Sequence, residues 1–143
     1  LDKLDVEFIN NFKNVSEKIT DKMEKIQISS AIDEIFELLR KSNKYIDDTT
    51  PWTLAKDLET NSKLETVIYN LLEAIRQCSV MLQPFLPDTA DNIFKQLNTT
   101  NKSWESLINF NGMVSGNKLN NPEVLFKRIN KEEYLEKINN SLN

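Results

Sequence analysis

Apolar residues recur at alternating steps of four and three between Leu64 and Phe85, the repeat expected of a helix with one buried face. The stripe comprises Leu64, Ile68, Leu71, Ile75, Cys78, Leu82 and Phe85. Since a helix of this length buries its stripe only against other helices, the stripe predicts the seam of an antiparallel bundle. We expect Leu71 and Ile75 to be core residues, each costing about 2–5 kcal/mol when replaced by alanine.

Glycine and proline are scarce, and their positions disfavour a strand-rich fold. The 143 residues include two glycines, Gly112 and Gly116, and four prolines, so the first hundred residues lack the turn chemistry that hairpins need. Hydrophobic residues make up 39% of the chain, which is enough for one core. We therefore predict an all-α fold, an antiparallel bundle of about five helices, with residues 1–143 forming a single domain.

Two further apolar stripes precede the seam. The first predicts one helix and comprises Phe8, Phe12, Val15, Ile19, Met23 and Ile26. The second predicts a helix running towards Asp47 and comprises Ile32, Ile35, Phe36, Leu39 and Ile46. Ser29 or Ser30 is suited to cap the start of the second helix. Pro51 disfavours helical geometry at Thr50, so this helix should end before the proline, and a short helix should restart from it.

The chain after the seam is predicted to be less regular. Pro84 and Pro87 end the long helix, and a short helix follows through Ile93, Phe94 and Leu97. Residues 98–122 are polar and suit a long surface loop, anchored by Trp104, Leu107, Ile108 and Phe110. A last helix is predicted from about Lys131, with an apolar stripe of Tyr134, Leu135, Ile138 and Leu142.

Composition excludes several kinds of chemistry. The chain has no histidine and a single cysteine, Cys78, so histidine-dependent catalysis and the usual nitrogen and sulfur metal ligands are missing. A lone cysteine forms no intramolecular disulfide, which favours a reducing, cytoplasmic setting. No apolar run approaches the length of a membrane span. The net charge of −4 argues against a broad basic surface for nucleic acid, so any RNA contact must be local.

The residues around Pro51 form the most specific motif, which runs from Asn43 to Asp57 as NKYIDDTTPWTLAKD. It resembles the junction in the C-terminal helical bundle of methionyl-tRNA synthetases, where the pattern is approximately N-[KR]-Y-[IV]-D-E-x-x-P-W-x-L-A-K. Two more stretches are similar to that family: LQPFLPDTA at 82–90 and LFKRI at 125–129, where Lys127 replaces the usual proline. The resemblance covers essentially the whole chain.

The resemblance implies roles for five residues of this motif. The tryptophan of the Pro-Trp pair, here Trp52, stacks on an anticodon base, and the acid at Asp47 helps to exclude wrong anticodons. Asn43 is expected to contact base edges, and Lys44 and Lys56 to contact phosphates. The alternatives are structural: Trp52 as a core residue at a helix corner, Asp47 as an acid bonded to a nearby backbone N–H, and the other three as solvated surface residues.

The implied function is tRNA anticodon recognition for a methionine–tRNA ligase whose catalytic domain lies outside this chain. The partners would be the anticodon loop of the methionine tRNA and that catalytic domain, with no membrane involved. The resemblance places ATP, with or without zinc, in the catalytic domain and no cofactor here. Two alternatives stay open: the equivalent domain of a synthetase for leucine, valine, isoleucine or cysteine, and a helical interaction module with no RNA role.

The first residue is Leu1 rather than methionine, so we expect this chain to be part of a longer protein. In the resembling family, an asparagine and an arginine just before the matched region also contact the anticodon, and no such pair occurs before Arg40. Together with the acidic composition, this predicts micromolar or weaker tRNA affinity for the isolated chain.

Overall fold

The computed structural model describes residues 1–141, and within that range it contains helices and no strand. The helices are α1 (Lys3–Asn10), α2 (Val15–Glu24), α3 (Ile28–Thr49), α4 (Pro51–Leu54), α5 (Asn61–Leu82), α6 (Pro87–Leu97) and α7 (Lys131–Ser141). Short 3₁₀ turns cover Leu58–Thr60 and Trp104–Leu107. The predicted all-α bundle is confirmed. Leu142, assigned to the last stripe, lies outside the described residues.

The core forms around α5, which packs against α3, α4 and α6, while α2 packs against α3. Its apolar part includes Phe8, Phe12, Val15 and Ile19 from the first two helices and the ensuing turn, Ile35 and Leu38 from α3, Cys78 and Met81 from α5, and Phe94 from α6. These side chains are buried because helices with one apolar face hide it only by packing on one another. The seam along α5 therefore organises the bundle, as the sequence predicted.

The first apolar stripe forms two helices rather than the one predicted. Asn14 has φ of 60°, in the left-handed region that asparagine tolerates better than most residues, and it separates α1 from α2. The Asn11 side chain donates to the carbonyls of Glu7 and Phe8 and so satisfies the end of α1. Burial along the stripe also ends early, because Ile26 lies beyond α2 and is 82% exposed.

The buried face of α3 is rotated by about one residue from the predicted one. It consists of Ala31, Ile35, Leu38, Ser42, Tyr45 and Thr49, whereas Phe36 is 43% exposed and Ile32, Leu39 and Ile46 are half-buried. The prediction counted large apolar residues and missed small and hydroxyl residues in the core. Ser42 and Thr49 can be buried because each donates to the carbonyl four residues earlier. Ser29 and Ser30 lie inside the first turn, and the N-cap is Gln27, without a side-chain cap.

The stripe on α5 is likewise only partly buried. Ile75 is 38% exposed, so its assignment to the core is wrong, while Leu71 is half-buried and packs against the core. The fully buried positions include Val67, Asn70, Ala74 and Cys78, on a neighbouring face. Polar residues occupy part of that face, which a count of apolar side chains alone does not detect.

The helix boundaries near the prolines agree with prediction. The helix α3 ends at Thr49, before Pro51, and α6 begins at Pro87. In the long loop Leu107 is buried and Trp104 and Phe110 pack against the core, but Ile108 is 80% exposed and is not an anchor. Met113 is an additional buried position. No helix within residues 1–141 is both long and apolar enough to cross a bilayer.

Candidate nucleic-acid interface at the end of α3

The corner between α3 and α4 is a defined backbone structure. Thr50 adopts a left-handed conformation, with φ of 43° and ψ of 61°, and its N–H donates to the carbonyl of Ile46 at 2.9 Å. Pro51 then occupies the first position of α4, where a missing N–H costs no helical hydrogen bond. The Thr53 N–H donates to the Thr50 carbonyl at 2.8 Å. The chain therefore ends one helix and starts the next within a single residue.

Trp52 is held at this corner with its side chain 55% exposed. The short helix that carries it is anchored by Leu54, which packs against the core. The hydroxyl of Thr60 donates to the Leu54 carbonyl at 2.7 Å and fixes the far end of the helix. The structural alternative, Trp52 as a buried core residue, does not hold, because over half of the side chain faces solvent.

Asn43 and Asp47 are exposed and lie one helical turn apart, so they share the same face of α3. Within residues 1–141 the Asp47 carboxylate has no hydrogen-bond or ion-pair partner among the protein's own groups. The alternative role of Asp47, an acid bonded to a nearby backbone N–H, is therefore not observed. The structure leaves both side chains available to an outside ligand.

The two lysines of the motif differ in their surroundings. Lys44 donates to both carboxylate oxygens of Asp48, at 2.7 and 3.0 Å. This hydrogen bond, and then the charge of Asp48, raise the pKa of Lys44. The pair is exposed, so a phosphate would compete with Asp48 for the ammonium group in water. Lys56 follows α4 and is exposed, and its Nζ forms no ion pair with any residue in the range 1–141.

Tyr45, which lies between Asn43 and Asp47 in sequence, points into the bundle. Its hydroxyl donates to Asp5 Oδ1 at 2.6 Å and accepts from Asn70 Nδ2 at 3.1 Å. Burial, followed by the hydrogen bond to Asp5, raises the pKa of Tyr45 well above its ordinary value. The expectation of an anchored tyrosine with a satisfied hydroxyl is confirmed, but nothing in the sequence indicated Asp5 and Asn70 as its partners.

A groove of 460 Å³ lies between α1 and α3, next to the Lys44–Asp48 pair. Its lining includes Phe8, Asn11, Lys41 and Lys44. The walls carry both acidic and basic side chains, so the groove has no strong preference for one charge. It extends the surface at the end of α3 towards α1.

A second polar cluster, formed by Glu73, Arg76 and Gln77, is fully buried in α5 and was missed by the sequence analysis. The guanidinium of Arg76 donates to Ser106 Oγ at 2.7 Å and to the Asn101 carbonyl at 3.0 Å. These bonds fasten the loop after α6 to α5. The three-residue spacing of Glu73 and Arg76 was the only available signal, and surface pairs share it.

Comparison with known proteins follows the geometry closely. A family model described as the anticodon-binding domain of methionyl tRNA ligase matches residues 2–140. The chain belongs to this family.

Relatives of the domain agree with this assignment. The methionine–tRNA ligase of Clostridium perfringens is 46% identical over 132 residues, covering 92% of this chain and 20% of that protein. The Clostridium acetobutylicum enzyme is 41% identical over 138 residues, covering 96% of this chain and 21% of that protein. The chain thus spans about a fifth of the length of these relatives. The expected family is confirmed, in preference to the neighbouring synthetases for leucine, valine, isoleucine or cysteine.

Solved structures share the fold of the domain. The free form of Mycobacterium tuberculosis methionyl-tRNA synthetase superposes with a TM-score of 0.83 at 21% identity, over 91% of this chain and 27% of that one. The same enzyme bound by methionyl-adenylate gives a TM-score of 0.81. At this identity the superposition supports the helical architecture.

Proposed function

We propose that this domain recognises the anticodon of the methionine tRNA for a methionine–tRNA ligase, whose catalytic domain supplies the ATP-dependent chemistry. The observation that supports the proposal most directly is the exposed indole of Trp52 at a corner fixed by Thr50, Pro51 and Leu54. The domain itself would need no cofactor. ATP, with or without zinc, would belong to the catalytic domain, and the ligase would work in the cytoplasm.

Recognition at this corner would combine stacking with polar contacts. An unstacked base can lie on the exposed indole of Trp52, a type of contact that is worth about 1–3 kcal/mol. Asn43 and Asp47 share one face of α3, and their side chains suit the hydrogen-bonding edges of bases. A carboxylate accepts hydrogen bonds and repels other acceptors, so Asp47 would disfavour a base that presents carbonyl oxygens there.

Phosphate contacts would be few, because the domain carries a net charge of −4. Lys44 and Lys56 are the two cations assigned to this surface. Lys44 would have to exchange Asp48 for a phosphate, whereas Lys56 needs no such exchange. Selectivity would therefore come from base contacts at the corner, and affinity would depend on the rest of the ligase.

Trp52→Ala in the whole ligase tests this proposal. We expect tRNA charging to fall by at least about tenfold, the equivalent of 1.4 kcal/mol, because the stacking platform is lost. Formation of methionyl-adenylate without tRNA should be unchanged, since that chemistry would lie in another domain. Phe126→Ala, which removes another exposed aromatic side chain, is the matched control and should leave charging unchanged.

Binding to a panel of transcribed tRNAs separates the remaining alternatives. A preference for the methionine tRNA that Trp52→Ala weakens supports the proposal. Binding to a protein partner with no selectivity among tRNAs would instead favour an interaction module without an RNA role.

A further inference from the structure

Tyr45 lies on the side of α3 opposite to Asn43 and Asp47. Successive helix residues are separated by about 100°, so Asn43 and Asp47 point within roughly 40° of each other and roughly 160° away from Tyr45. Burial follows this geometry, because Tyr45 is buried and the other two residues are exposed. Whatever fixes the rotation of α3 at Tyr45 therefore also fixes the direction of the two exposed side chains.

Three contacts fix the Tyr45 side chain, and they come from two other helices. Its ring stacks on Phe8 of α1, with centroids 4.1 Å apart and planes 5° from parallel. Its hydroxyl donates to Asp5 of α1 at 2.6 Å and accepts from Asn70 of α5 at 3.1 Å. One side chain thus ties the C-terminal part of α3 to both neighbours.

The acceptor of this contact is itself held in place. Asp5 is fully buried, and its carboxylate also receives Lys63 Nζ at 2.7 Å and the Asp2 N–H at 2.8 Å. Every oxygen of the Asp5 carboxylate therefore has a protein partner. An acceptor that cannot turn gives the Tyr45 hydroxyl one defined position.

We propose that the Tyr45 hydroxyl, held by Asp5 and Asn70, positions the RNA-contacting end of α3 by setting the direction of Asn43 and Asp47. Its effect reaches Trp52 through the single-residue break at Thr50. This inference rests on the proposed function. Tyr45 would touch no RNA, since its ring and hydroxyl are buried; it is a positioning residue.

Tyr45→Phe in the whole ligase tests the inference, because it keeps the ring stacked on Phe8 and removes both hydrogen bonds to the hydroxyl. We expect KM for tRNA in the charging reaction to rise about fivefold or more with little change in kcat, since small misplacements of binding groups weaken binding strongly. Asn70→Ala removes one of the same hydrogen bonds and should raise KM in the same direction. It also serves as the test if Tyr45→Phe does not fold.

Ile35→Val is the matched control, because Ile35 is buried on the same helix, far from the corner. Unfolding midpoints of all variants are measured first, and kinetics are recorded below the lowest midpoint. An increase in KM with Tyr45→Phe but not with Ile35→Val supports positioning. Equal KM values for these two variants, whether raised or unchanged, would overturn it.

Trp52→Ala in the same assay keeps this inference distinct from the proposed function. If Trp52→Ala leaves KM and charging unchanged, the proposed function fails, and the positioning inference fails with it. If Trp52→Ala impairs charging while Tyr45→Phe behaves like Ile35→Val, only the positioning inference fails.

Discussion

The guanidinium of Arg76 and the carboxylate of Glu73 form a two-pronged, fully buried ion pair, with Nε to Oε2 at 2.9 Å and Nη2 to Oε1 at 2.7 Å. The same carboxylate accepts the backbone N–H of Met113 at 2.8 Å, and Gln77 adds a bond at 2.9 Å. Gly112 lies against the guanidinium, where a Cβ atom would collide with it. The pair therefore holds the long loop against α5 from inside the domain.

Arg76→Met should destabilise the domain by about 3–5 kcal/mol, because it leaves the Glu73 carboxylate buried without its cation. Arg40→Met is the control: Arg40 pairs with Glu37 at the same spacing and at 2.9 Å, but on the surface. Its loss should cost no more than about 1 kcal/mol. Urea unfolding of the two variants gives both values. Equal costs would contradict a special role for the buried pair.

Ile35→Ala and Ile75→Ala should differ in cost although both residues belong to predicted apolar stripes. Ile35 is fully buried, so the alanine leaves a cavity and costs about 2–5 kcal/mol. Ile75 is 38% exposed, and its truncation should cost less than about 1.5 kcal/mol because water can fill the space. Denaturant midpoints compare them directly. A larger loss for Ile75→Ala would show that the buried face of α5 has been misassigned.

The Asp5 carboxylate should make stability depend on acid pH. Burial raises its pKa, but hydrogen bonds from Lys63, Tyr45 and the Asp2 backbone together outweigh burial and bring the pKa below its ordinary 3.8. The unfolded chain therefore binds this proton at a higher pH than the folded chain. The stabilising contribution is complete above the ordinary pKa and is lost as pH falls through the lower folded value.

Comparison with Asp5→Asn isolates this contribution from those of other acids. At pH 7 the wild-type domain should be more stable than Asp5→Asn, and the difference should shrink as the pH falls below about 4. Urea unfolding between these pH values measures it. A difference that stays constant with pH would show that the carboxylate charge adds nothing to folding.

Sequence patterns predicted the parts of the fold that depend on local chemistry. Pro51 ends α3, and Pro87 begins α6, because a proline ring and its missing N–H act on neighbouring residues. The long span of α5 followed from its repeat of apolar residues. The exposed corner that carries Trp52 was likewise predictable, once the Pro-Trp motif was placed at a helix break.

The buried faces and polar partners were less predictable, because they depend on residues distant in sequence. Ser42 and Asn70 occupy core positions that hydrophobicity alone assigns to solvent. Tyr45 and Asp5 are 40 residues apart, and no local pattern connects them. Separate helices from the first stripe also required Asn14 to adopt a left-handed conformation, which the apolar spacing does not reveal.

Trp52 fluorescence measures the central claim most directly, since the chain contains only two tryptophans. Trp104 packs partly against the core, so Trp104→Phe keeps an aromatic ring there and leaves Trp52 as the single reporter. Trp52→Phe is the matched control that reports Trp104 alone. Each variant is titrated with a stem-loop carrying the methionine anticodon and with one carrying an altered anticodon.

The account predicts saturable quenching of Trp52 by the methionine stem-loop, with micromolar or weaker affinity because the domain is acidic, and much weaker quenching by the altered stem-loop. Trp104 fluorescence should not change. Unchanged Trp52 emission at stem-loop concentrations that saturate binding in a filter assay, or equal quenching by both stem-loops, would contradict recognition of the anticodon by this corner.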